Sequence, residues 1–263
     1  MKGVICYYSG SGNTKLACRY IAKNIPDVEF DLFDILKGGT IDLAQYNIVG
    51  LAAFTDFFAP SQVFKTFVEN LPRQNGKPAF VFNTFGFISG KTIKVMQDWA
   101  SARGFRVVAG YSLHTPESHT PTIAQGRAFV DSPNEKELAR FNEFIAGLGQ
   151  LCAALKGGQS ATGKVSISLL NRLMPTIART QARKEMGEKY VDEALCTQCG
   201  SCEKGCPYQS IKLSPFPTFD MDTCYGCWRC YNRCPKHAIY TDKFRGGPFY
   251  PKPAEQLKAK LQV

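Results

Sequence analysis

The sequence predicts an α/β domain built on a doubly wound parallel sheet, followed by a small cysteine-rich unit. Three observations predict it. Apolar runs alternate with amphipathic stretches over the first 155 residues. A Gly/Ser-rich turn joins the first apolar run to the first amphipathic stretch. Eight of the 11 cysteines crowd between positions 196 and 234. Strand–helix alternation is the pattern of a parallel sheet covered by helices on both faces.

The predicted strands are GVICYY (3–8), VEFDLFDI (28–35), NIVGLAAF (47–54), PAFVFNTF (78–85) and RVVAGYSL (106–113). Several are almost continuously apolar, as strands buried on both faces should be. Between them lie helical patterns. NTKLACRYIAKNI groups Leu16, Ala17, Tyr20 and Ile21 on one face. PSQVFKTFVENL opens on Pro60, a good first-turn residue, and groups Val63, Phe64, Phe67 and Val68. GKTIKVMQDWASARG stops at Gly104. SPNEKELARFNEFIAGLGQLCAAL carries a cap signal and acids in its first turn.

The expected domains are residues 1–155, a basic linker or arm over 156–189, the cysteine-rich unit over 190–242, and a basic tail over 243–263 that packs back as a strap or short helix. The arm begins with a Gly/Ser linker, KGGQSATGK, and carries a short helix. No run of eighteen apolar residues exists, so no transmembrane segment is expected. The first residues lack a secretory pattern, and the expected location is cytoplasmic. In that compartment abundant cysteine points to metal or redox work rather than disulfides. Cys6, Cys18 and Cys152 are scattered and read as small buried apolar residues.

CTQCGSCEKGCP and CYGCWRCYNRCP repeat one spacing, C-x2-C-x2-C-x3-C-P. This is the established spacing of bacterial two-cluster iron–sulfur ligation, and it is matched here. Two-residue gaps let a tight loop present three thiolates to three corners of a cube, and the fourth cysteine reaches across to the other cluster. Cys196, Cys199, Cys202 and Cys234 are therefore expected to hold one [4Fe–4S] cluster. Cys224, Cys227, Cys230 and Cys206 are expected to hold the second. Gly200, Gly205 and Gly226 allow close approach of backbone amides to the clusters. Paired zinc knuckles separated by longer gaps would look different. Trp228 and Tyr231 sit within the second run and read as shields against water.

YYSGSGNTK links the first strand to the first helix. Ser9, Ser11, Asn13 and Thr14 supply polar groups, and Gly10 and Gly12 free the backbone to face one spot. With a helix N-terminus behind it, the loop is a cradle for a terminal phosphate. It lacks the lysine of an ATP-binding loop.

With these residues in view, the first part resembles the flavodoxins, and the cysteine-rich unit resembles the two-cluster bacterial ferredoxins. Together they resemble flavodoxin–ferredoxin fusion proteins, found mainly in anaerobes. The resemblance implies a flavodoxin-like five-stranded sheet of order 2-1-3-4-5, FMN beside strands one and three, and a small α+β ferredoxin-like domain. It implies two ring-holding loops. One is FTDFFAP (54–60), with Phe54, Thr55, Asp56, Phe57 and Phe58. The other is NTFGFISG (83–90), with Asn83, Thr84, Phe85, Gly86, Phe87 and Gly90. HTPESHTP (114–121) stands where a third loop would reach the flavin or phosphate, and His114 and His119 read as local hydrogen-bond partners.

The implied function is electron transfer between the clusters and FMN on one chain. The alternatives are a flavin-dependent reductase of a small molecule and a dedicated reductive activator of one partner enzyme. No acid–base pair converges with the flavin loops in sequence, which favours the carrier. The formal charge of +10 falls to roughly +4 once two clusters and a phosphate are counted at about −2 each. A basic shell suits an acidic redox partner. No nucleic-acid recognition motif is present, and no nucleic-acid partner is expected.

Overall fold

The computed structural model describes residues 1–159, 163, 165, 171, 173–175, 177 and 179–262. Strands β1 (Lys2–Tyr7), β2 (Glu29–Asp34), β3 (Ile48–Phe54), β4 (Pro78–Phe85) and β5 (Arg106–His114) form one parallel sheet in the order 2-1-3-4-5. That is the doubly wound, flavodoxin-like arrangement. Alternation along β1 divides its side chains between two cores. Ile5 and Tyr7 face one, Val4 and Cys6 the other. The first core is covered by helices α1 (Asn13–Lys23) and α5 (Glu135–Lys156), through Leu16, Ile21, Phe141, Ile145 and Leu148. The second is covered by α2 (Gln62–Asn70) and α3 (Thr92–Ala102), through Phe64, Val68, Ile93 and Met96. Cys6, Cys18 and Cys152 are buried in these cores.

Helix α2 begins one step later than the sequence suggests. Ser61, not Pro60, opens it, because the Ser61 hydroxyl accepts the Phe64 amide at 3.4 Å. Helix α5 opens on a reciprocal cap. The Glu137 amide donates to Asn134 Oδ1 (2.9 Å), and the Asn134 amide donates to Glu137 Oε2 (2.8 Å). His114 Nδ1 lies 2.9 Å from Glu137 Oε1. Burial opposes the Glu137 charge, but bonds from the Asn134 amide and the His114 ring outweigh it and hold the carboxyl below its ordinary value. A depressed acid stabilises the fold above its unfolded value, about 4.3, and that contribution is lost as pH falls through the folded one. Glu137→Gln is expected to cost about 1 kcal/mol near neutrality. It should also flatten the acid limb of stability, read by thermal melts over a pH series. An unchanged acid limb would refute the linkage.

A small helix α4 (Thr120–Ala124) follows β5. Of the arm, the apolar part lies largely outside the described residues. Its basic part forms helix α6 (Arg179–Met186), whose Ala182 and Met186 are buried. The cysteine-rich unit holds strand β6 (Lys189–Val191), helix α7 (Ser201–Lys204), strands β7 (Ile211–Leu213) and β8 (Pro217–Phe219), helix α8 (Arg229–Arg233) and strand β9 (Ile239–Thr241).

This unit is a two-fold repeat with an offset of 28 residues, the distance from Cys196 to Cys224. Lys189 pairs with Thr241 as Pro217 pairs with Leu213, and Val191 with Ile239 as Phe219 with Ile211. Backbone turns repeat too. Positive φ falls at Gln198 (55°) and Gly226 (71°), at Gly200 (70°) and Trp228 (59°), and at Gln209 (54°) and His237 (52°). A tryptophan where the other half has glycine is a strained choice. Trp228 is held there by edge-on packing against Tyr231, Phe244 and His119.

The tail does not hang free. Residues Glu255–Leu261 form helix α9, and Leu257 and Leu261 are fully buried in the core beneath α1 and α5. The chain thus leaves the α/β domain, builds the cysteine-rich unit, and returns to the α/β domain.

Candidate functional site

The C-terminal ends of the parallel strands are polar and tied together. Thr14 and Thr84 hydroxyls meet at 2.8 Å. Asn83 Nδ2 donates to Thr55 Oγ1 (2.8 Å), the Ser112 hydroxyl donates to Asn83 Oδ1 (2.6 Å), and Thr55 and Thr92 hydroxyls lie 2.9 Å apart. Buried polar side chains demand such partners. The network fixes the loops that follow β1, β3 and β4.

The loop after β1 is shaped as an anion cradle. Gly12 sits at φ 108°, a conformation that a side chain resists. Ser9 Oγ accepts the Gly12 and Lys15 amides at 3.1 and 3.3 Å. Leu16 is the first residue to bond back into the helix, to the Gly12 carbonyl at 3.0 Å. Among the described residues no partner meets the amides of Ser11, Asn13 and Thr14. Amides left open at a helix N-terminus can receive an anion.

Two elements beyond the α/β domain close on this loop. Arg229, in the second cysteine run, donates from Nη1 to the carbonyls of Ser9 and Gly10, both at 3.1 Å, and from Nε to Gly205 at 2.9 Å. From the tail, Tyr250 donates its hydroxyl to Asn13 Oδ1 (2.9 Å), and Pro253 fills the space a Cβ at Gly12 would need. Asn232 ties the same parts together. It donates to the Ser118 carbonyl (3.0 Å) and accepts the Tyr250 amide (3.0 Å).

A cavity of about 230 Å³ opens beside these loops. Phe54, Thr55, Asp56, Phe57, Phe58, Gly86 and Phe87 line it. Phe57 and Phe58 both hold positive φ, 54° and 69°. Strain of that kind on two bulky neighbours concentrates at functional sites. Asn83, Thr84, Phe85 and Gly90 are not in the wall. Asn83 and Thr84 brace the strand ends, Phe85 stacks on His114 at 5.1 Å, and Gly90, at φ 55°, lies against Phe58. Mostly apolar walls with a few placed polar groups are the mark of a cofactor site.

The third loop expected over 114–121 completes this cavity together with residues of the second cysteine run that the sequence did not point to. Glu117, Ser118, His119 and Thr122 line it from the third loop and α4. Gly226, Cys227 and Trp228 line it from the second cysteine run. The Glu117 carboxylate accepts the amides of Phe87 (3.0 Å), Ser118 (2.7 Å) and His119 (2.9 Å). It thereby pins the Gly86 loop. His119 Nδ1 lies 2.8 Å from Thr122 Oγ1. An acid among polar loop residues was the one signal available; the rest depends on tertiary contact.

The eight clustered cysteines ring two cavities. Cys196, Cys199, Cys202 and Cys234 line one. Cys206, Cys224, Cys227 and Cys230 line the other, with Lys189 and Arg229. Amides already point at the sulfurs in repeat-related pairs: Ser210 to Cys206 at 3.4 Å and Ala238 to Cys234 at 3.3 Å. Cys224 Sγ accepts the Gly226 amide at 3.4 Å and the Lys189 ammonium at 3.0 Å. Burial would push Lys189 toward neutrality, but the surrounding sulfurs of Cys230, Cys224 and Cys227 outweigh it and hold the ammonium above its ordinary value. Among the described residues no three His, Cys, Asp or Glu side chains converge on a single-ion centre. Cys199 is exposed, whereas Cys224 and Cys230 are buried.

Residues 195–239 match the family model of the 4Fe-4S dicluster domain. A stretch of 86 residues is 31% identical to one component of the H(2):CoB-CoM heterodisulfide,ferredoxin reductase of Methanothermobacter marburgensis. The match covers 26% of this chain and 13% of that protein, so the chain spans about an eighth of the length of the curated relatives it matches. Among solved structures, a flavodoxin from the domain Archaea aligns at 17% identity over 57% of this chain and 97% of its own, with a TM-score of 0.42. A flavodoxin of Streptococcus pneumonia TIGR4 aligns at 17% identity over 57% and 99%, also with a TM-score of 0.42. The sheet order and the domain match together make the chain a flavodoxin-like α/β fold joined to a 4Fe–4S dicluster domain. Among the described residues no helix is long and apolar enough to cross a membrane.

Proposed function

We propose that the chain is an electron-transfer protein that carries FMN at the loop end of its parallel sheet and two [4Fe–4S] clusters in its cysteine-rich unit. The observation that carries this reading is the shared wall: Cys227 and Trp228 line the same cavity as Phe57 and Phe87. When bound, FMN can exchange two electrons or one, and each cluster one. The residues have separable tasks. Ser11, Asn13 and Thr14 offer amides to the phosphate, with the Arg229 charge beside them. Phe57, Phe58 and Phe87 wall the ring. Cys196, Cys199, Cys202 and Cys234 hold one cluster; Cys206, Cys224, Cys227 and Cys230 hold the other.

The carboxylate of Glu117 is occupied by three loop amides, which gives this acid of the cavity wall a positioning task. We assign the outer cluster to the exposed Cys199 side, where Lys236 lines the cavity and Lys204 lies beside Gly200. An acidic redox protein is the partner that suits this rim. Raising ionic strength is expected to slow transfer from such a partner, measured by stopped-flow; a salt-independent rate would exclude it.

The decisive experiment is anaerobic purification of the full chain with iron, zinc and flavin quantitation and a visible spectrum. About eight iron atoms and one FMN per chain are expected. Zinc in place of iron, or no yellow pigment, would overturn the reading. Turnover of small acceptors at rates typical of dedicated reductases would replace the carrier with an enzyme.

A further inference from the structure

Resting on the two-cluster reading, we propose that Lys189 makes the two clusters unequal, so that an electron shared between them settles on the one held beside the flavin loops. The repeat supplies the comparison within one molecule. Lys189 opens β6, and Pro217 opens β8 in the same register. Each lines one cysteine cavity: Pro217 with Cys196, Cys199, Cys202 and Cys234, and Lys189 with Cys206, Cys224, Cys227 and Cys230. Both are buried at the equivalent point of their strands. The two halves thus differ at this point by one buried positive charge.

The ammonium faces sulfur rather than a carboxylate. Lys189 is 9% exposed, its ammonium is 3.0 Å from Cys224 Sγ, and it stands 5.7 Å from the Phe219 ring centre. Among the described residues it forms no ion pair with a carboxylate. A buried unpaired ammonium is costly unless an anion faces it. A four-thiolate cluster is that anion, and its reduction adds one more negative charge. The ammonium therefore stabilises the reduced form more than the oxidised one. Arg229 lines this cavity and also one shared by Cys202 and Cys234, so it faces both cysteine sets and does not separate them. On the other side the nearby cations Lys204, Arg233 and Lys236 are all exposed, so water and salt screen them. The electron lost by one site is gained by the other, and no bond forms or breaks.

The test is a redox titration of the full chain with dithionite under anaerobic conditions, followed by electron paramagnetic resonance. In Lys189→Met, at unchanged iron content, one cluster should become at least tenfold harder to reduce, about 59 mV for one electron. The other should stay where it was. Lys189→Arg should retain the native potentials. The shift should persist in a Cys234→Ala background, where only the Cys224 site remains. A merely structural lysine would alter melting or iron content without moving one potential. Full iron with both potentials unmoved, or both moved alike, would overturn the inference alone. A native chain without iron would overturn the two-cluster reading beneath it.

Discussion

Replacing Cys234 by alanine is expected to remove about half of the iron, and the half lost should be the cluster of the first run. Cys234 follows the second run in sequence yet shares a cavity with Cys196, Cys199 and Cys202. The Ala238 amide aims at its sulfur from the strand that follows. Cys206→Ala is the mirror experiment, because Cys206 stands with Cys224, Cys227 and Cys230. Its loss should leave the outer cluster and abolish the one beside the flavin loops. Iron per chain and integrated spin, measured on both variants, decide the matter. If Cys234→Ala instead erased the second run's signal and spared the first, the crossed assignment would be wrong.

Leu257→Ala is expected to destabilise the whole chain by about 2–5 kcal/mol, the range for emptying a buried leucine site. Leu257 is fully buried in the core shared with α1 and α5, although it lies far beyond the cysteine runs in sequence. The loss should not stop at melting temperature. Pro253 and Tyr250, just ahead of α9, press on Gly12 and bond Asn13. Loosening α9 should therefore also weaken flavin retention, read as FMN released per chain on gel filtration. Gln256→Ala, an exposed neighbour, is the control and should change neither. Full flavin retention in a destabilised Leu257→Ala chain would show that the tail supports the fold but not the phosphate loop.

The parallel sheet was legible because several of its strands are nearly unbroken apolar runs, and each observed strand lies within a residue of the predicted one at both ends. The two cysteine sets were legible because their spacing leaves few geometries. Other features were hidden for physical reasons. Helix α9 has two inward leucines in a lysine-rich stretch, too weak a periodic signal to place. Trp228 reads as a shield on one cluster, yet it also walls the flavin-loop cavity, a fact that exists only once two distant segments meet. Glu117 had no visible task until the Gly86 loop folded against it. The apolar half of the arm lies largely outside the described residues, and the short helix expected of the arm appears in its basic half as α6.

The path of the chain has a consequence for biosynthesis. On the ribosome, domains form in the order in which they emerge. Here the sheet is translated early, but the helix that seals its core comes after both cysteine runs. The phosphate loop therefore receives its last wall only when the metal-binding unit has been made and has docked through Arg229. A nick in the arm would cut the polypeptide without releasing either half.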